Sequence, residues 1–90
     1  MRARRGPVLD EYAEAGQVAV YSEDGIVVVL SELAGVAWET LGDGWTTVES
    51  LAGVLVDVFG EPPEGHTAVQ MTERTLRTLS GHGIVELDGA

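Results

Sequence analysis

Short apolar runs alternate with polar breaks along the chain, and the period of the apolar positions changes once, near residue 31. Before that point the period is two. PVLDEYAEAGQVAVYSEDGIVVVL, residues 7–30, reads as three short strands. VLDEYA alternates imperfectly. GQVAVY alternates well, with Val18 and Val20 on one face and Ala19 and Tyr21 on the other. SEDG supplies a turn in which Gly25 takes a positive φ. GIVVVL, rich in β-branched residues, is the third strand. Consecutive strands pair as a meander, which puts this third strand at an edge. Ile26, Val28 and Leu30 point one way, Val27 and Val29 the other. One set enters the core; the other needs cover, or its open edge is an aggregation hazard.

From Ser31 onward the period is helical. The Ser31 hydroxyl is a cap for a helix beginning SELAGVAWETL, with Leu33, Val36, Ala37 and Leu41 on one face and Trp38 beside them. GDG, residues 42–44, ends it. TTVESLAGVLVDVF is a second helix: Thr46 and Glu49 have capping-box spacing, and Val48, Leu51, Leu55 and Phe59 (or Val58) form the stripe expected to be buried. Trp45 suits a hydrophobic staple before it. Pro62 and Pro63 enforce a loop. Thr67 and Gln70 repeat the capping-box spacing and open a third helix over residues 68–82, closed by Gly81 and Gly83. Residues 84–87, IVEL, are a last strand or an extended tail on the core. Three strands followed by three helices predict an α+β fold of winged helix-turn-helix type, a three-stranded antiparallel sheet on a three-helix core. Residues 1–6 read as a disordered basic tail and residues 7–88 as a single domain.

The third helix carries two stripes. Val69, Thr72, Leu76, Leu79 and Gly83 form the expected core side. Met71, Thr75, Thr78 and His82 form a second, uncharged strip bordered by Arg74. A Met and Thr surface adapts to a ligand side chain at low exposure cost. Beside an open strand edge it suggests a groove where an extended peptide adds as a strand. The plain alternative is a half-buried helix face packed on the sheet, with the edge covered by this chain or by a second copy.

Charge narrows the partners. The 90 residues carry a net charge of −10 and no lysine; from residue 6 onward two arginines face fifteen carboxylates. Nucleic acid is an unfavourable partner, because phosphate binding depends on Lys and Arg. No apolar run has the ~20 residues of a membrane span. The absence of cysteine excludes disulfides and thiolate metal sites and fits a cytoplasmic setting. His66 and His82 have no metal-ligand spacing, and no serine lies in a nucleophile motif. No catalytic constellation, metal or cofactor is expected, so an enzyme acting alone is not the reading.

VVVLSELAGVAWETLGDGWTTVESL resembles the PqqD-like family, the precursor-peptide recognition elements of ribosomally synthesised and post-translationally modified peptides. Leu30 and Ser31 stand at the family's Leu–Asn step, Ala34 and Gly35 at its small residues, and Trp38 and Leu41 at its bulky ones. Asp43–Gly44 matches the turn and Thr47–Val48 the next helix start. Val69, Leu76, Leu79, Gly83, Ile84 and Val85 match the last helix and its Gly–apolar–apolar exit. Ser31 replaces the usual Asn, and Gln70 or Thr72 stands where an acidic residue is usual. The resemblance implies a leader-peptide-binding chaperone whose third strand and third helix form a cleft. It implies presentation of the leader to a cognate modifying enzyme or leader peptidase, and leaves open whether the peptide is a lasso peptide, a quinone-cofactor precursor or of another class. The implied contacts are Val27, Val28, Val29 and Leu30 on the strand and Met71, Arg74, Thr75, Thr78 and His82 on the helix. The chain would act as a monomer or an edge-paired dimer. A winged-helix DNA-binding regulator and a protein-interaction adaptor are the competing classes.

Overall fold

The computed structural model describes residues 1–89. The fold is α+β. Its elements are β1 (Arg2–Arg5), β2 (Val8–Glu14), β3 (Gln17–Ser22), β4 (Val27–Leu30), α1 (Glu32–Thr40), β5 (Thr46–Thr47), α2 (Val48–Phe59), α3 (Ala68–Gly81) and β6 (Val85–Asp88). They form two three-stranded antiparallel sheets, in the orders β2-β3-β4 and β5-β1-β6.

The meander forms as its pattern predicts. Val18 pairs with Leu30 and Val20 with Val28, all four buried, while Ala19 pairs with Val29 and Tyr21 with Val27 on the opposite face. Ser22 and Ile26 bracket a three-residue loop closed by Gly25 at φ +81°, a usual hairpin solution. Ile26 closes this loop just before the strand and is exposed, so the core-facing set of the strand is Val28 and Leu30 alone. The tip between β2 and β3 is tighter. Ala15 (φ +52°) and Gly16 (φ +78°) both take left-handed conformations there, as a two-residue hairpin turn of type I′ demands.

The helices are capped nearly as expected. Ser31 accepts from the Ala34 N–H at 3.2 Å. Thr67 and Gln70 form a full capping box at the head of α3. At α2 the expected Thr46–Glu49 box is replaced by Thr47, which accepts from the Ser50 N–H, because the helix starts at Val48, one residue later than that spacing requires. The buried side of α1 is Ala34, Gly35, Ala37 and Trp38, while Leu33 and Val36 are only half-buried. The rotation follows from Gly35: a Cβ there would stand 3.2 Å from the Val18 side chain, so a residue without one lets α1 lie directly on β3. Along α2 the stripe Val48, Leu51 and Leu55 is buried, but Val58 and Phe59 run past the core into solvent. Thr72, Leu76 and Leu79 carry the buried side of α3.

The N-terminal segment departs most from expectation. Residues 2–5 are not a disordered tail but the central strand of the second sheet, with Ala3 fully buried. Arg2 lies opposite Asp88 and Arg4 opposite Glu86, and both arginines ion-pair with those partners. Trp45, expected as a staple, instead lies under the Arg2 and Arg4 guanidinium groups, 5.0 and 4.4 Å from its ring centroid. A run of arginines reads as solvated in isolation; carboxylates and an indole brought from distant positions make it a strand. Residues 84–87 resolve as the strand alternative, since β6 pairs along the whole of β1.

Arg5 joins the two sheets. It donates to the Trp38 carbonyl at 3.1 Å and to Glu11 Oε1 at 3.0 Å, and stacks 4.4 Å over the Trp38 ring. Glu11 Oε2 in turn accepts the indole N–H of Trp38 at 2.6 Å. The largest fully buried side chain thus has its polar atom satisfied from β2.

Candidate functional site

Among the described residues β4 has a partner on one side only, so its second edge is open. Antiparallel pairs alternate between those that exchange backbone hydrogen bonds and those that do not. Counting from the Ser22 N–H to Ile26 carbonyl bond, Val28 and Leu30 turn their backbone groups toward β3. Val27 and Val29 turn theirs to the open side. Their side chains, 51% and 62% exposed, lie on the outer face of the sheet. Of the four strand residues expected to contact a peptide, Val27 and Val29 thus offer free N–H and C=O groups. Val28 and Leu30 hold the strand in place through the core.

The α3 strip is graded. Met71 and Thr75 are half-buried; Thr78 and His82 are exposed. Thr75 donates its hydroxyl to the Met71 carbonyl at 3.0 Å and Thr78 to the Arg74 carbonyl at 3.1 Å. With those donors turned back into the helix, the strip is less polar than its composition indicates. The backbone N–H of His82 closes the helix on the Thr78 and Leu79 carbonyls.

Met71 also lines a cavity of about 170 Å³, walled by Leu33, Leu55, Phe59 and Pro62. Its lining is chiefly apolar, and its volume suits one branched or aromatic side chain. Leu33, three residues beyond the end of β4, lines the cavity, whereas no β4 residue does, so the expected cleft between this strand and α3 is not what the cavity forms. Arg74 and Thr78 border a separate shallow depression with Gln70, Glu73 and Arg77. Arg2, Arg4 and Arg5 are ion-paired, whereas Arg74 and Arg77 form no ion pair among the described residues.

The structure therefore groups the expected residues into an open ladder (Val27, Val29), an apolar cavity (Met71) and an exposed helix face (Arg74, Thr78). Leu33 and Phe59 lie in apolar stripes whose spacing alone points to the core, and spacing gives no sign that they wall a cavity. The signal for Phe59 was its place beside Gly60, where a helix running off the core leaves its last side chain half-covered. Among the described residues no group of three His, Asp or Glu side chains is placed to hold a metal ion, and no helix is long and apolar enough to cross a membrane. No protein-family model matches the chain, and neither a curated protein nor a solved structure matches it.

Proposed function

We propose that the chain is a non-enzymatic, cytoplasmic binding protein for the leader segment of a ribosomally made precursor peptide. The leader adds as a strand to β4 and is presented to a modifying enzyme or leader peptidase. The observation that carries this reading is the open β4 edge, in a fold that also has an apolar cavity lined by Leu33 and Met71. Main-chain bonds to Val27 and Val29 supply affinity that is indifferent to sequence, and the cavity selects an apolar side chain as the peptide passes Leu33. Arg74 is available to a leader carboxylate. The resemblance to peptide recognition elements of winged helix-turn-helix type, with β5 and β6 flanking the α2–α3 pair, supports the same role.

Backbone bonds contribute about 1 kcal/mol net each. An apolar side chain filling the cavity adds about 1.5–3 kcal/mol. Association costs about 4–15 kcal/mol. Binding in the micromolar range or tighter requires that several leader residues be engaged at once.

The test is fluorescence polarisation with a labelled leader taken from a short precursor encoded beside this gene. Val29→Pro removes an N–H from the open side and leaves the β3 ladder intact. It is expected to weaken binding about tenfold or more, the equivalent of roughly 1.4 kcal/mol, with an unchanged circular dichroism spectrum. Met71→Asp is expected to weaken it similarly. A leader that binds both variants as tightly as the parent protein overturns the assignment.

A further inference from the structure

A second concavity lies on the other side of Phe59. It is a groove of about 470 Å³ between the β2–β3 hairpin tip, one face of α1 and the last turn of α2. Its apolar surface comes from Ala15, Val36, Val58 and Phe59, and Val58 and Phe59 remain 56% and 42% exposed. Glu14 borders it on the hairpin, and Glu32 and Glu39 on α1; no arginine lines it. None of these three carboxylates joins an ion pair among the described residues. Ala15 holds a left-handed conformation that asparagine or glycine adopts more cheaply, so the hairpin tip keeps an apolar residue beside the groove at a conformational cost.

We propose that this groove docks an amphipathic helix of a second protein, its apolar stripe flanked by lysine or arginine. Charge selects the partner. A second copy of the chain would set these glutamates against another molecule of net charge −10, whereas a basic helix neutralises them. Spacing selects the form. Glu32 and Glu39 are two turns apart on one face of α1, roughly 10 Å, which matches cations at i and i+7 on a helix lying along α1. The apolar floor then receives the i, i+3 and i+4 side chains of that helix. The site is separate from the β4 edge and stands independently of leader binding.

The probe is a synthetic Leu/Lys peptide with an amphipathic helical pattern, compared with a Leu/Glu peptide of the same apolar stripe. Each is titrated into the ¹⁵N-labelled 90-residue chain. Saturable shifts centred on Ala15, Val36 and Val58 are expected with the Leu/Lys peptide only, weakening as salt is raised. Val58→Ser, at an exposed position, is expected to weaken binding about fivefold, and Glu39→Arg about tenfold. Equal binding of the Leu/Glu peptide, shifts centred elsewhere, or affinities unmoved by both substitutions overturn the proposal. So does a dimer, seen by sedimentation, that Val58→Ser abolishes.

Discussion

Glu11 illustrates how much one exposed side chain can hold. Its two carboxylate oxygens serve Arg5 and the indole of Trp38, so it ties β1, β2 and α1 together. Glu11→Ala leaves a buried indole N–H unpaired and is expected to cost about 1–3 kcal/mol in urea unfolding. In a Trp38→Phe background the same change should cost measurably less, because the donor is gone. Ala15 runs the other way. Asn-Gly is the preferred pair for a type I′ turn, and Ala15→Asn is expected to raise stability by about 1 kcal/mol. Asp88 gives a pH signature. The hydrogen bond from Arg2, reinforced by its charge, holds the Asp88 carboxyl below its ordinary range. A carboxylate with a depressed folded-state pKa contributes stability above its unfolded pKa and loses it as pH falls through the folded value. The difference in melting temperature between the parent chain and Asp88→Asn should be small at pH 7, since both partners are half-exposed. It should shrink below about pH 4.

Local signals were sufficient for the central elements. The period-two runs, the SEDG turn, Ser31, and the Thr67–Gln70 box each specify their element through nearest neighbours, and β2, β3, β4, α1 and α3 lie where those signals put them. The edge position of β4 was legible too, because a three-strand meander has no other place for its last strand. What was not legible depends on distant partners. The strand character of residues 2–5 needs Glu86, Asp88 and Trp45. The exposed end of α2 needs the length of the core it overruns. The face of α1 is set by a glycine whose meaning appears only against Val18. The candidate site shares this division. Val27 and Val29 follow from alternation, whereas the cavity beside Met71 requires three helices in place. Proline substitutions separate the two sides of β4. Val28→Pro removes an N–H that β3 uses and should unfold the meander, whereas Val29→Pro should leave the melting temperature within a few degrees of the parent value.

The second sheet ties residues 2–5 into the body of the fold. β1 lies between β5 and β6, and the carbonyl of Met1 accepts from the Val48 N–H at the start of α2. Deleting residues 1–5 removes the central strand and uncovers Val85 and Ile84. A chain starting at Gly6 is expected to lose its sharp thermal transition, followed by circular dichroism at 222 nm, where a dispensable tail would leave it unchanged. The pairing of Arg2 with Asp88 has one more implication. These residues face each other across adjacent antiparallel strands, and Gly89 already has φ +73°. A two-residue turn in place of residues 89, 90 and 1 would therefore splice β6 to β1 as an ordinary hairpin. New ends opened in the exposed loop at Glu64–Gly65 would then yield a circular permutant with the same topology, and both the β4 edge and the acidic groove would remain uninterrupted.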